Sequence, residues 1–290
     1  IKACFGFDSI VGNYASPETP GSAYVLLHHV FGEIDGEKGA WGHALGGMGS
    51  ITQIMRTVCE EIGVDISTNA SVKNIIVEDS VAKGVILDDG SKIMSNKVIS
   101  NLNPKLLFSN LINHDDVDKE YLRKILNYKC GSGTFRMNVA LSELPNFNCL
   151  PGKEIAEHHK SGIIIAPTLT YMDEAFTDAK KHGWSKNPIV EMLIPSTVDQ
   201  SLAPEGKHVA SLFCQQFAPK LPMNKSWHDE KTNAAETIID TVNKYAPNFK
   251  KSIIGSSILS PLDLEEKLGL LGGDIMHGVM TLDQMWAARP

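Results

Sequence analysis

Few residues in this chain have both the type and the spacing to do chemistry. His277 and Asp283 lie in a glycine-rich tail that contains Gly272-Gly273-Asp274-Ile275-Met276-His277-Gly278. A neutral imidazole can accept a proton near pH 7, and Asp283 would add a second polar group to a pocket. A histidine satisfied by loop carbonyls is the plainer reading of the same residue. The neighbouring Met276, Met280, Met285 and Trp286 read more readily as core than as a cofactor box. A second stretch, Gly39-Ala40-Trp41-Gly42-His43-Ala44-Leu45-Gly46-Gly47-Met48-Gly49-Ser50, runs into a helix-like segment. Such a loop lets backbone approach a ligand and aims helix N–H groups at it, although a tight packing turn has the same composition. Adjacent His28 and His29 point in different directions on a helix and make a poor metal pair. The five cysteines, Cys4, Cys59, Cys130, Cys149 and Cys214, form no CxxC pair, which argues against both a zinc site and a disulfide framework and suits a reducing compartment.

Several familiar signatures are missing. Gly47-Met48-Gly49 opens like a dinucleotide fingerprint but lacks the third glycine and the preceding strand. There is no P-loop and no HExxH. In Gly131-Ser132-Gly133 the glycines are too close for a nucleophile elbow. The 290 residues carry 27 basic and 34 acidic side chains, a net charge of −7, with no basic run, so a nucleic-acid partner is not expected. With 42% hydrophobic and 21% charged residues the chain has the material for a sizeable core. No apolar run reaches the roughly 18–20 residues a membrane span needs. The chain opens at Ile1 and closes at Pro290 with no capping pattern at either end, and it is expected to be a piece of a longer polypeptide.

The elements that must position these residues are legible in outline. Ile51, Ile54, Met55, Val58 and Ile62 recur every three or four residues, predicting an amphipathic helix with Ser50 as N-cap and Gly63 as C-cap. Residues 65–68 read as a short strand. Three β-branched runs between 72 and 93, broken at Glu78-Asp79-Ser80 and Asp89-Gly90, predict a meander, followed by a last strand at 97–101 that stops at Asn103-Pro104. Residues 105–128 read as helical, with Asp115 to Asp118 supplying negative charge at a helix start. From 133 to about 255 the texture changes. Phe135, Met137, Val139 and Leu141 alternate with Arg136, Asn138 and Ala140, and apolar runs at 163–165, 189–194 and 209–214 add strands. These predict a large mixed sheet with one face covered and one free to shape a pocket, and residues 227–245 read as a helix that ends at Ala246-Pro247.

Taken together, the glycine stretch at 39–50, the strand Val98-Ile99-Ser100-Asn101 with Asn103-Pro104, and the tail from Gly272 to Gln284 resemble the phytoene-desaturase-like FAD-dependent oxidoreductases. The resemblance runs along essentially the whole chain. It implies an α+β / α/β fold in which part of a FAD-binding domain, a helix plus a β-meander, joins a mixed-sheet substrate domain with helices. The expected division is a substrate-side segment at 1–38, the middle of the FAD domain at 39–104, the substrate domain at 105–260, and a return toward the FAD domain at 261–290. On that pattern Gly46, Gly47 and Met48 would sit close to the flavin or its substrate channel. Val72 would meet the adenine through its backbone, and Ser100, Asn101 and Leu102 would lie at the strand end near the cofactor. His277, Asp283 and Gln284 would line the site near the ring, with His277 and Asp283 as candidate catalytic groups. The implied whole protein oxidises an apolar or amphiphilic organic substrate. A non-redox isomerase and an inactive scaffold on the same fold are the alternatives. The implied location is intracellular, cytoplasmic in a bacterium or mitochondrial in a eukaryote, with peripheral membrane contact as an option. The family's N-terminal fingerprint and C-terminal flavin motif are not in this sequence, so the chain by itself is expected to be inactive and not to retain FAD tightly.

Overall fold

The computed structural model describes every residue except Val30 and Lys153 and the side chain of His28, so the His28–His29 pair lies outside the described residues. Short helices α1 (Lys2–Asp8) and α2 (Ala23–His29) flank a turn-rich opening. A small hairpin follows, β1 (Glu33–Ile34) and β2 (Glu37–Lys38), with Asp35 and Gly36 at positive φ, as a type I′ turn requires. Helix α3 (Gly49–Glu61) starts earlier than the sequence suggested. Ser50 therefore lies inside the first turn, where its Oγ donates to the Gly47 carbonyl at 2.7 Å, and is not the N-cap. Gly63 does take the left-handed conformation expected after the helix.

The meander is present as β3 (Val72–Glu78), β4 (Val81–Leu87) and β5 (Lys92–Met94), paired antiparallel in that order. Two expected strands are not: residues 65–68 form no ladder, and neither do 97–101. Both have strand-like composition, but no described strand lies alongside to exchange hydrogen bonds, and Ile99 is 95% exposed. A single turn, α4 (Pro104–Leu106), and α5 (Lys119–Leu126) follow. Asp118 caps α5 by accepting from the Tyr121 amide at 2.8 Å.

The remainder runs β6 (Phe135–Leu141), β7 (Ile163–Ile165), α6 (Leu169–His182), β8 (Trp184–Leu193), β9 (His208–Phe217), α7 (Trp227–Tyr245), α8 (Phe249–Ser252), β10 (Ile253–Leu259) and α9 (Pro261–Leu268). Five of these strands form a sheet in the order β10-β6-β9-β8-β7. All four pairings are antiparallel, where a mixed sheet was expected. The physical reason was visible in β6. A strict alternation of buried and polar positions is what an antiparallel sheet with one solvated face produces, whereas parallel strands buried on both faces lose it.

The chain divides into two compact units, Ile1–Ile51 with Gly131–Thr281, and Thr52–Cys130 with Leu282–Pro290. These divisions fall away from the boundaries near 39, 105 and 261 suggested by the sequence. The glycine stretch belongs to the sheet unit. Residues 105–130 belong to the meander unit, where the Lys105 ammonium donates to the Tyr128 carbonyl at 3.0 Å. In the sheet unit, Phe135, Met137, Val190, Met192, Leu212 and Cys214 interlock with Ala234, Ile238 and Val242 of α7. Trp184 and Trp227 pack with ring centres 5.7 Å apart. This core fixes one face of the sheet and leaves the other to the residues between.

Candidate functional site

Register decides what the second face of the sheet presents. Pairings place Leu259, Arg136, Phe213, Glu191 and Ile164 on one rung running across all five strands. The next rung carries Ser257, Asn138, Ser211 and Leu193. The Arg136 guanidinium donates to Ser211 Oγ at 2.9 Å and lies 5.4 Å from the centre of the Phe213 ring. Burial pulls the Arg136 pKa down, opposed by the charge of Glu191. Burial pushes the Glu191 carboxyl up. Arg136 and His29 pull it back, and Asp8 adds to the rise. No ion pair joins Arg136 to Glu191 among the described residues, and the ring of Phe213 lies on the strand between them. Asn138, Ser257, Ile164 and Leu193 on this face are exposed, Leu193 by 48%.

One end of the face is held by two buried amides. Gln215 Nε2 donates to the carbonyls of Ile10 and Asn13 at 3.0 and 3.2 Å, and its Oε1 accepts from the Gly12 amide at 3.2 Å. Gln216 Nε2 donates to Asn13 and Ala15 at 3.0 Å each. These four bonds to carbonyls pin the 10–15 turn to β9. Two glutamines inside an apolar strand were the available sequence signal, because buried amides need partners.

The glycine stretch is anchored rather than open. The Gly46 amide donates to Asp199 Oδ2 at 2.7 Å, and His43 Nε2 lies 3.3 Å from the same oxygen. Ser201 donates to Oδ1 through its hydroxyl at 2.6 Å and its amide at 3.0 Å. Hydrogen bonds from Ser201 and Gly46, outweighing the effect of burial, hold the Asp199 pKa down at about 2. Gly46 and Gly47 both have positive φ, and Met48 is 72% exposed. Asp199 was not singled out from sequence, since nothing local to it points to a loop more than 150 residues away.

In the meander unit Val72 pairs with Leu87 and is partly buried. Ser100, Asn101 and Leu102 are exposed, and the Leu102 amide donates to Ser100 Oγ at 3.2 Å. Asp283 is exposed and 3.2 Å from the Lys129 ammonium. The Gln284 amide is buried: its Oε1 accepts from the Lys129 amide at 2.6 Å and its Nε2 donates to the Lys129 carbonyl at 3.0 Å. His277 falls in the sheet unit, exposed and at positive φ. The turn that holds it is built on buried Asp274, whose Oδ2 accepts from the Gly131 amide at 2.7 Å and Oδ1 from the Met276 amide at 2.8 Å.

These positions do not make a flavin cradle within either unit. The Gly46 amide, which an anion would need, is already committed to Asp199, and Met48 and residues 100–102 face solvent. No group of His, Cys, Asp or Glu able to hold a metal ion occurs among the described residues. A surface cleft of ≈ 340 Å³ between the turn at Ser16–Thr19 and α6 is lined by none of the sequence-predicted residues. No helix among the described residues is long and apolar enough to cross a membrane.

A chain that carries an antiparallel five-stranded sheet, helix-backed on one face, and a helix-and-meander unit has the fold of a solved oxidoreductase. A solved oxidoreductase from Methanosarcina mazei matches with a TM-score of 0.62 at 18% identity, over 88% of this chain and 52% of that one. The sequence comparison is more specific. The chain is 38% identical to the pyridine nucleotide-disulfide oxidoreductase domain-containing protein 2 of Rattus norvegicus, over 100% of this chain and 51% of that protein. It is 24% identical to a phytoene desaturase (lycopene-forming) of Pseudescherichia vulneris, over 92% of this chain and 51% of that protein. The chain resembles the phytoene-desaturase-like oxidoreductases along its whole length and spans about half the length of the curated relatives it matches. No family model matches it.

Proposed function

We propose that this chain forms the substrate-facing sheet and the middle of the cofactor domain of a FAD-dependent oxidoreductase about twice its length. That protein would remove hydride from an apolar or amphiphilic organic substrate. The observation that carries the reading is the second sheet face, where exposed Leu193 and Ile164 share the surface with a few polar groups, Arg136, Glu191 and Ser211, the mixed composition of a small-molecule site. The cofactor side gains support from α3, whose apolar stripe faces solvent in this chain, with Ile54 65% exposed. A helix with such a stripe is built to pack on a sheet. The partner is a small molecule and not a nucleic acid, peripheral membrane contact is compatible with this reading, and His277 is the polar group the sheet unit offers as a candidate proton acceptor.

FAD supplies the redox chemistry when bound, and this chain by itself does not retain it. The test is the flavin absorbance of two purified proteins, this chain and the longer polypeptide with its flanking segments. Near-stoichiometric flavin in the longer protein and none in this chain is expected. Flavin retained by this chain, or absent from both, refutes the reading. Substrate isomerised without consumption of an electron acceptor would replace oxidation by isomerisation on the same fold.

A further inference from the structure

We propose that the second face of the five-stranded sheet recognises the carboxylate of an amphiphilic organic acid, with Arg136, seated on the buried Phe213 ring, taking the carboxylate and exposed Leu193 and Ile164 beside the apolar tail. The inference rests on the reading of this face as a substrate wall and names what the wall selects.

Three observations carry it. First, Arg136 is a half-buried cation with spare capacity. A guanidinium has five N–H donors in a planar fork, and here only Ser211 Oγ is a described acceptor. Its stem and charge are fixed over the Phe213 ring at 5.4 Å, so the fork is pre-organised rather than free in solvent. Second, no ion pair joins it to Glu191 among the described residues, although each feels the other's charge. The two lie on the same rung with β9 between them, and adjacent strands are about 4.8 Å apart, which leaves their backbones roughly 10 Å apart. Glu191 accepts no hydrogen bond from a described residue. Third, Leu193 and Ile164 expose apolar surface on the same face, Leu193 across Ser211 from Asn138 and Ile164 on the far side of Glu191, so a ligand whose charged end meets Arg136 can lay its apolar end over Leu193.

The charges around the fork select among anions. Asp8 and His29 face Glu191 from α1 and α2, Arg136 faces it from β6, and Cys214 lies on the covered side of β9. With two carboxyl groups close by, a dianionic phosphate would meet more repulsion than a monoanion. A carboxylate also matches the planar fork in a two-point contact.

The experiment is calorimetric titration of the purified chain with decanoate, decanol and decyl phosphate below their aggregation concentrations. Decanoate is expected to bind at least about tenfold more tightly than decanol, the scale of hydrogen bonds to a charged group. Arg136→Met is expected to abolish that preference and leave decanol binding unchanged. Glu191→Gln is expected to tighten decanoate binding at pH 8, because it removes a competing negative charge, and this gain does not depend on whether Arg136→Met folds well. Equal binding of decanoate and decanol, or unchanged decanoate binding in Arg136→Met, overturns the carboxylate assignment while leaving an apolar substrate wall intact. Tighter binding of decyl phosphate than decanoate overturns it as well, and so does failure of decanoate to bind at all. The oxidoreductase reading is judged separately by flavin content, so the two fail independently.

Discussion

Asp263 holds the start of α9 and thereby the tail that carries Asp274 and His277, and replacing it tests how that tail is anchored. Its Oδ2 accepts from the Ser260 amide at 3.1 Å and from Ser260 Oγ at 2.7 Å, while its own amide donates to Ser260 Oγ at 3.1 Å. This is a reciprocal capping box at a helix that begins with Pro261. Lys231 from α7 places its ammonium 3.0 and 3.2 Å from the two carboxylate oxygens, and Lys267 lies at 3.0 Å. In Asp263→Ala the Ser260 Oγ cap on the residue-263 amide survives, but the hydrogen bond from Ser260 Oγ to the carboxylate is lost, which costs about 1 kcal/mol. Buried Ser260 is left with an unpaired amide, about 1–2 kcal/mol more. The lysines are partly exposed and rehydrate, so their ion pairs add about 0.5 kcal/mol. The sum is about 2.5–3.5 kcal/mol. Asp263→Asn keeps an acceptor for Ser260 and is expected to lose only about 1 kcal/mol. Urea unfolding followed by the fluorescence of Trp184 and Trp227 reads this unit directly. With a slope of about 3 kcal/mol/M, the alanine variant shifts the midpoint by about 1 M and the asparagine variant by about a third of that. A midpoint for Asp263→Ala within about 0.2 M of wild type, or equal shifts for the two variants, refutes the reasoning. The pH dependence follows the same logic. Burial opposes ionisation of Asp263, but hydrogen bonds from Ser260, Lys231 and Lys267 outweigh it and hold the pKa far below the ordinary 3.8. The contribution is therefore fully present above pH 3.8 and lost as pH falls further, and Asp263→Asn removes that acid sensitivity.

Two further perturbations test the supports of the site. Gly273→Ala places a methyl 2.6 Å from the Pro261 Cα, at a residue with φ +65, so neither the backbone neighbour nor the conformation can yield. The same urea experiment should report a loss of about 2–4 kcal/mol. Asp199→Ala releases the Gly46 amide and His43 from their shared oxygen. Amide exchange across residues 43–50 should rise while α7 stays protected. In the wild type that protection is complete above pH 3.8 and lost as pH falls through about 2.

How much of this was legible without coordinates differs by kind of interaction. The alternation around Phe135 and Met137 marked a strand with one covered face, and the amphipathic repeats at 51–62 and 227–245 marked two helices. The turns at Asp79-Ser80 and at Asp89-Gly90 separated the meander strands where their backbone conformations demand. The segment 97–101 misled because β-branched composition specifies a strand only when a neighbour supplies its ladder. Residues 65–68 failed for the same reason. The Ser50 cap missed because the helix start shifted by two residues, a matter of loop geometry rather than residue type. The glycine stretch suggested a ligand loop, yet its central amide is tied to Asp199, a partner that periodicity cannot reveal.

By itself the sequence determined several main elements, the alternating faces of β6, the absence of the common nucleotide and hydrolase signatures, and the resemblance to an oxidoreductase family. Those depend on residue type and short spacing, which are local. The tertiary structure alone decided that Arg136, Phe213 and Glu191, drawn from three strands distant in the chain, share a rung. It also decided that two glutamines pin the 10–15 turn over one end of the sheet. Register is set by long-range pairing, and a slip of one residue would turn every one of these side chains to the opposite face.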